Sequence, residues 1–228
     1  MITKILLIGR NSQVGRELTR SLGPLGEVVA IDRQTMDLAE FDTIRQVIRR
    51  IKPNLIINTA AYTLVDKAEK EPQLAQRING DAPGIIAEEA KRIRAAVIHY
   101  STDYVFDGTA STPAMEDDST NPLNVYGNTK RAGEIAIQGV DVPHLILRTS
   151  WVYGTRGRNF LLTILRLLRE REELQVVNDQ TGSPTWSRMV AEITPQILAL
   201  GISDPVGYIQ QQRGVYHMTA GGQTSWYG

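Results

Sequence analysis

The sequence predicts an α/β fold in which one doubly wound parallel sheet is covered by helices on both faces. Three observations predict it. Short apolar runs rich in Ile, Val and Leu alternate with longer amphipathic stretches, no fixed-period repeat or low-complexity tract interrupts them, and the first run ends in a glycine-bearing turn that opens onto a helix. Near-continuous apolar strands belong to sheets buried on both faces, and parallel neighbours need crossover helices between them.

Taken in order, "KILLIG" is a strand, "SQVGRELTRSL" a helix, "EVVAID" a strand, "AEFDTIRQVIRRI" a helix and "NLIINTAA" a strand. The runs "PQLAQRINGDAPGIIAEEAKRI" and "NVYGNTKRAGEIAIQ" carry helical spacing, while "AAVIHYST" and "HLILRTS" read as strands. The loop "DGTASTPAMEDDSTNP" is long, acidic and rich in turn formers, which suits a surface excursion near a site. After Gly154 the alternation weakens. "NFLLTILRLLRERE" is a further helix, "LQVV" a strand, "MVAEITPQILAL" a helix broken or started near Pro195, and "GVYHMTAGG" another strand.

Composition narrows the function classes. At 228 residues the chain suits one core with an appended lobe rather than two ordinary domains. Lys plus Arg and Asp plus Glu number 25 each, so no net field favours nucleic acid or an anionic membrane, and neither is expected as a partner. The absence of cysteine excludes disulfides, thiol catalysis and zinc–thiolate sites, and fits a reducing compartment. The opening run "ILLIG" is too short for a signal peptide, and no later run approaches a membrane span, so a soluble, cytoplasmic protein is expected. No Asp/Glu/His cluster has metal-ligand spacing, and His99, His144 and His217 stand singly in strand-like runs that suit core or edge roles.

The turn "IGRNSQVG" poses a specific question. Gly9 would let the chain turn after the strand and Gly15 would let the helix pack close to the sheet, leaving the helix N-terminus free for a pyrophosphate. The middle position of the expected glycine pattern is Ser12, tolerable only where the backbone is not left-handed. Such turns also occur with no ligand. Asp32 ends the second strand about 20 residues beyond Gly9, where an acidic group accepts from an adenosine ribose hydroxyl, and Arg33 beside it suits a 2′-phosphate. The choice between NAD and NADP stays open. In "YGNTK", Tyr126 and Lys130 share a helix face. A phenol titrating at about 10 is a poor proton partner at neutral pH, and lowering it by about three units needs roughly 4 kcal/mol, which a close ammonium in a poorly solvated cleft, together with the positive charge of an oxidised nicotinamide, would supply; by spacing alone the pair also fits a solvated helix face. The preceding strand ends in Ser101 and Thr102, hydroxyls suited to a carbonyl oxygen.

Seven ordered blocks, "GRNSQVGREL", "NTAAYTLVDKAE", "YSTDYVFDG", "PLNVYGNTKRAGE", "RTSWVYG", "NDQTGSPT" and "VYHMTAGG", together resemble the dTDP-4-dehydrorhamnose reductases of the extended short-chain dehydrogenase/reductase superfamily. The likeness runs the length of the chain. It implies a Rossmann-type cofactor domain over residues 1–154, a small and incomplete sugar-nucleotide substrate lobe over 155–228 with 214–220 returning to the main sheet, and reduction of a 4-keto nucleotide sugar by NADPH or NADH. It implies catalytic roles for Thr102, Tyr126 and Lys130. The cofactor would lie against Gly9, Ser12, Gln13, Val14, Gly15, Asp32, Arg33, Asp37, Leu38, Ala60, Ala61 and Tyr62, with Tyr126 and Lys130. The substrate would meet Thr63, Val65, Thr102, Tyr104, Tyr126, Trp151, Gln180 and Thr185. Asp103, Asp107 and Asp179 read as turn or cap residues. The resemblance is compatible with a homodimer, and Mg2+ is left open without ligands to support it.

Two departures from the family pattern stand out. Ser12 replaces a glycine, with an expected change in cofactor affinity of less than about tenfold. The chain also stops at "AGGQTSWYG", where family members continue, so sugar binding is expected to be incomplete and hydride transfer slow. Two other classes share the general pattern: the non-catalytic, dinucleotide-binding β subunit of methionine adenosyltransferase, and nucleotide-sugar epimerases or dehydratases. The full proton-transfer set favours an enzyme over the first, and release of cofactor at each turnover separates a reductase from the second.

Overall fold

The computed structural model describes residues 3–228, so residues 1 and 2 of the expected cofactor domain lie outside the described residues. The first strand, β1 (Lys4–Ile8), shows why both faces of the sheet are apolar. Leu6 and Ile8 enter one buried cluster, Ile5 and Leu7 the other, following the strand period of two. There follow α1 (Gln13–Ser21), β2 (Glu27–Ile31), α2 (Phe41–Ile51), β3 (Leu55–Asn58), α3 (Val65–Ala68), α4 (Pro72–Ala75), α5 (Ala82–Ile93), β4 (Ala96–Thr102), α6 (Val125–Gly139) and β5 (His144–Thr149). The remainder holds β6 (Val152–Tyr153), α7 (Phe160–Glu170), β7 (Thr181–Gly182), β8 (Thr185–Trp186), α8 (Ser187–Ala199), α9 (Pro205–Gln211), β9 (Gly214–His217) and β10 (Thr224–Ser225).

Six strands form one parallel sheet in the order β2-β1-β3-β4-β5-β9. The chain steps outward from β1 to β2 and then crosses back to β3 on the other side of β1. That reversal opens a crevice beyond the carboxyl ends of β1 and β3, the place where such sheets bind ligands. One face is covered by α2, α5 and α6 through Ile44, Ile48, Ile86 and Ile137, the other by α1, α8 and α9 through Leu18, Val190, Leu198 and Ile209. Thus α8, α9 and β9, all within 155–228, belong to the sheet and its covering layer.

Two expectations are corrected. "LQVV" is not a strand: the main sheet ends at β2 and β9, and nothing offers those four residues a ladder. A two-residue antiparallel ladder forms further on, Thr181–Gly182 with Thr224–Ser225. Pro195 neither breaks nor starts a helix but lies inside α8. A proline removes the donor that would serve the carbonyl four residues back, here Ala191. Ser21 of α1 replaces it, its hydroxyl donating to the Ala191 oxygen at 2.5 Å. The run from Pro72 to Ile93 is likewise helical but passes through a π turn at Gln76–Asp81, where the Ala82 amide bonds to the Arg77 oxygen five residues back.

Candidate active site

The turn after β1 answers the question posed by Ser12. Gly9 takes φ +89°, a left-handed value, whereas Ser12 sits at φ −68° and ψ 164°, ordinary extended backbone that serine adopts without strain. Ser12 is the N-cap of α1: its hydroxyl accepts from the Gly15 amide at 2.9 Å. The same oxygen lies 2.9 Å from the Thr59 hydroxyl. Thr59 donates to the Ile8 carbonyl at 2.8 Å, so Ser12 donates to Thr59 and staples the turn to the end of β3. A Cβ on Gly15 would stand 2.1 Å from the Gly9 carbonyl oxygen, so only glycine permits this approach. The amides of Gln13 and Val14 have no hydrogen-bond partner among the described residues and face outward from the helix N-terminus, as an anion would require. The Val14 side chain is core, and Gln13 reaches elsewhere, donating to the Val152 carbonyl at 3.3 Å and accepting from Asn159 at 2.7 Å.

Asp32 closes β2 and is joined there by Arg10 at 3.7 Å and Asn11 at 3.4 Å. Arg33 is turned to Asp37, at 2.9 Å, so both of these expected cofactor contacts are engaged with each other. Leu38, expected beside adenine, has its side chain in the buried cluster beneath the turn because it is apolar and the surface above it is polar. Beyond β3, Ala60 and Ala61 line the turn, and Tyr62 is clamped at its backbone by Asn79: the Tyr62 amide donates to Asn79 Oδ1 at 2.8 Å, and Asn79 Nδ2 donates back to the Tyr62 carbonyl at 3.0 Å. The Tyr62 hydroxyl donates to Glu71 at 2.6 Å, which pushes its phenol up to about 12. Thr63 is exposed and Val65 half-buried on the rim.

Thr102 ends β4, and the turn that follows brings Tyr104 edge-on to Tyr126 of α6, their rings 5.5 Å apart. Asn124 caps α6 and fixes where that helix starts, its side chain accepting from Gly127 at 2.7 Å. The Thr102 hydroxyl accepts from the Tyr104 amide at 3.2 Å and donates to Asp103 at 3.1 Å. Asp103, expected as a plain turn former, is a desolvated carboxyl beside Thr102, pushed by burial up to about 6. Asp107 does form a turn, accepting from the Thr109 amide, and those bonds hold it down at about 2. Burial raises the Tyr126 phenol above its ordinary range, opposed in part by the Thr102 hydroxyl. The expected lowering counts on a nicotinamide charge as well, and Lys130 by itself does not supply it: its amine donates to the Tyr100 carbonyl at 2.6 Å and lies 3.2 Å from His99 Nε2. Lys130 is itself 2 % exposed, and burial brings it down to about 8.

On the lobe side, Trp151 takes φ +42° and stacks on Trp226 at 3.7 Å, with Phe160 against the outer ring at 4.4 Å. Gln180 accepts from the Trp226 indole at 3.1 Å. Thr185, expected as a substrate contact, is fully buried; its hydroxyl donates to the Ser183 carbonyl and accepts from the Ala220 amide, so it closes the lobe rather than lining the crevice. Among the described residues no group of three His, Asp or Glu side chains can hold a metal, and no helix is long and apolar enough to cross a membrane.

Sequence reasoning passed over Asn79, the Asn58–His99 pair, Trp226 and the buried Glu134–Arg148 pair, in which Glu134 accepts from Arg148 at 2.8 Å and 3.0 Å. For Asn79 the sequence held no local signal, since its side chain clamps Tyr62, 17 residues away. For Glu134 the signal was a charged residue on the inner face of α6, indistinguishable by spacing from a solvated one.

Comparison with known proteins agrees with this geometry. The model of the RmlD substrate binding domain family matches residues 3–228. A Burkholderia thailandensis protein named dTDP-4-dehydrorhamnose reductase is 47 % identical over 225 residues, covering 99 % of this chain and 75 % of its own. A crystal structure of a dTDP-4-dehydrorhamnose reductase from Clostridium acetobutylicum superposes with a TM-score of 0.90 at 37 % identity, covering 99 % of this chain and 77 % of that one. Another from Bacillus anthracis, solved in complex with NADP, gives 0.89 at 35 % identity, covering 100 % and 78 %. With a family model spanning all the described residues and relatives this similar, the chain belongs to the RmlD family of dTDP-4-dehydrorhamnose reductases.

Proposed function

We propose that the chain reduces the 4-keto group of dTDP-4-dehydro-L-rhamnose to the hydroxyl of dTDP-L-rhamnose, with NADPH or NADH as reductant, in the synthesis of a cell-surface polysaccharide precursor. The observation that carries this is the gathering of Thr102, Tyr126 and Lys130 between β4 and α6, in a chain 47 % identical to a relative named for that activity. The residues fit a dinucleotide. The free Gln13 and Val14 amides at the positive end of α1 would hold the pyrophosphate, and the Asp32 carboxylate a ribose hydroxyl. Bound there, the reduced nicotinamide supplies the hydride.

The chain supplies the rest. The Tyr126 phenol, kept protonated by burial, gives its proton to the ketone oxygen as that oxygen becomes a hydroxyl. Thr102 orients the same oxygen. Its single proton is spent on Asp103 while that carboxylate is ionised, so protonation of Asp103 frees the hydroxyl to donate to the substrate. Lys130 would hold the nicotinamide ribose and bring positive charge toward Tyr126 once its present bonds to Tyr100 and His99 are exchanged. Trp151 and Trp226 would cover the sugar and exclude water.

In functional terms, the division is a cofactor domain over 1–154 and a partial sugar lobe within 155–228, confined to the segments on either side of α8 and α9. A cytoplasmic location and a homodimer complete the proposal; sedimentation tests the latter. The decisive assay follows loss of reduced-nicotinamide absorbance with dTDP-4-dehydrorhamnose. Tyr126→Phe is expected to lower kcat by about 10²–10⁴-fold while cofactor affinity stays within about threefold. Absence of sugar-dependent oxidation in a protein that still binds the dinucleotide would refute the reading.

A further inference from the structure

His99 is a buried titratable group that the reaction above does not use. It is 1 % exposed and lies between two partners: its Nδ1 faces Asn58 Nδ2 at 3.2 Å and its Nε2 faces Lys130 Nζ at 3.2 Å. The proton positions follow from a backbone group. The Ala60 amide can only donate, and it bonds to the Asn58 side chain at 3.1 Å, so that atom is the amide oxygen. The other end of the Asn58 amide, the one facing His99, is therefore the NH2 group. A donor faces Nδ1, so Nδ1 is the acceptor and the neutral ring carries its proton on Nε2. That proton points at Lys130 Nζ. An ammonium there would set donor against donor, whereas a neutral amine can accept from Nε2 and still donate to the Tyr100 carbonyl.

We propose that Asn58 and His99 form a buried relay that sets the charge of Lys130 and ties it to the backbone at Ala60, acting as positioning residues in the reductase reading on which this inference rests. With Lys130 neutral, Asn58 holds Ala60 and the ring points its proton at the amine. With Lys130 charged, the ring must carry its proton on Nδ1 instead, the Asn58 amide must rotate to accept it, and the Ala60 amide loses its bond. Charge on the lysine and the shape of the turn after β3 then change together. The surroundings leave the relay in control. From α6, Glu134 attracts the ammonium but is already paired with Arg148 of β5 and with Arg131. From α6 and the turn after β4, Tyr126 and Asp103 make no hydrogen bond to the amine, whose bonds go to His99 and Tyr100. Burial also depresses both His99 and Lys130, in agreement with a neutral ring beside a readily neutralised amine.

The test reads protons directly, on the intact chain without substrate. Nitrogen-15 NMR of the histidine ring and carbon-13 NMR of labelled lysines, with Lys130 assigned by Lys130→Met, are followed across pH. At high pH the ring is expected as the Nε2–H form. As Lys130 takes up its proton, the ring is expected to switch to Nδ1–H and the Ala60 amide resonance to move with the same midpoint. Asn58→Asp, which fixes an acceptor beside Nδ1, should raise the Lys130 midpoint by at least about one pH unit, a tenfold gain in proton affinity. Adding His99→Phe should cancel most of that rise, since a through-space effect of the carboxylate would survive the loss of the ring nitrogens. A ring that keeps one tautomer throughout the lysine titration, or an Asn58→Asp effect undiminished by His99→Phe, overturns the proposal. If the variants fail to fold, the ring tautomer of the unsubstituted chain still decides it. None of these signals requires turnover, so the relay can fail while the reductase reading stands, and the reverse.

Discussion

Replacing Ser12 by alanine removes two interactions that can be counted. The hydroxyl caps α1 through the Gly15 amide at 2.9 Å, and loss of such a cap to alanine costs about 1 kcal/mol. It also donates to Thr59 at 2.9 Å, a net contribution of about 1 kcal/mol for a neutral hydrogen bond. Thr59 keeps its bond to the Ile8 carbonyl, so its hydroxyl is not orphaned, and the Gly15 amide's lost partner is the capping cost already counted. The sum is about 2 kcal/mol, and for a chain of this size each kcal/mol lowers Tm by about 2–4 °C, giving an expected drop of about 4–8 °C. Thermal unfolding by circular dichroism measures it. Ser12→Gly separates the cap from the ligand: glycine is nearly as good a cap, and the backbone here is not left-handed, so NADPH affinity should change by less than about tenfold by fluorescence titration. A Tm loss under about 2 °C for the alanine variant, or a larger than tenfold affinity change for the glycine variant, would show that the serine does something other than staple the turn.

Asp103 is held above its ordinary range, at about 6, so folding binds its proton more tightly than the unfolded chain does, and stability from this group falls as pH rises from about 4 to 6 and stays low above. Asp103→Asn should therefore match the parent near pH 4 and gain about 1–2 kcal/mol above pH 6, discounted for its partial exposure, in urea unfolding at both pH values. Glu134→Gln leaves Arg148 buried with half a partner and should cost about 3–5 kcal/mol by the same method. Ser21→Ala orphans the Ala191 carbonyl and should cost about 1–2 kcal/mol; combined with Pro195→Ala, which restores a helical donor, most of that loss should vanish.

Much of the sheet was legible because its strands are buried on both faces and announce themselves as unbroken apolar runs, as "KILLIG" and "AAVIHYST" do. "LQVV" is also mostly apolar but forms no strand; Gln175 and Val177 are exposed, so apolar composition here secured neither burial nor a neighbour to pair with. Pro195 misled for a related reason: its cost is local, but the compensating hydroxyl of Ser21 lies far away in sequence. At the candidate site, the one-turn spacing of Tyr126 and Lys130 was readable, while the direction of the lysine was not, since it depends on His99 and Tyr100 on another element. Asp103 passed for a turn residue because desolvation has no signature in a single sequence.

Gln13 offers its amide at the mouth of the phosphate cradle, while its side chain grips Val152 and Asn159, the residue that caps α7. One amino acid thus joins the start of α1 to the start of α7. In the proposed function, a pyrophosphate settled on that amide would bear on the same residue that holds the cap of α7, so coenzyme and α7 would be coupled through a single glutamine.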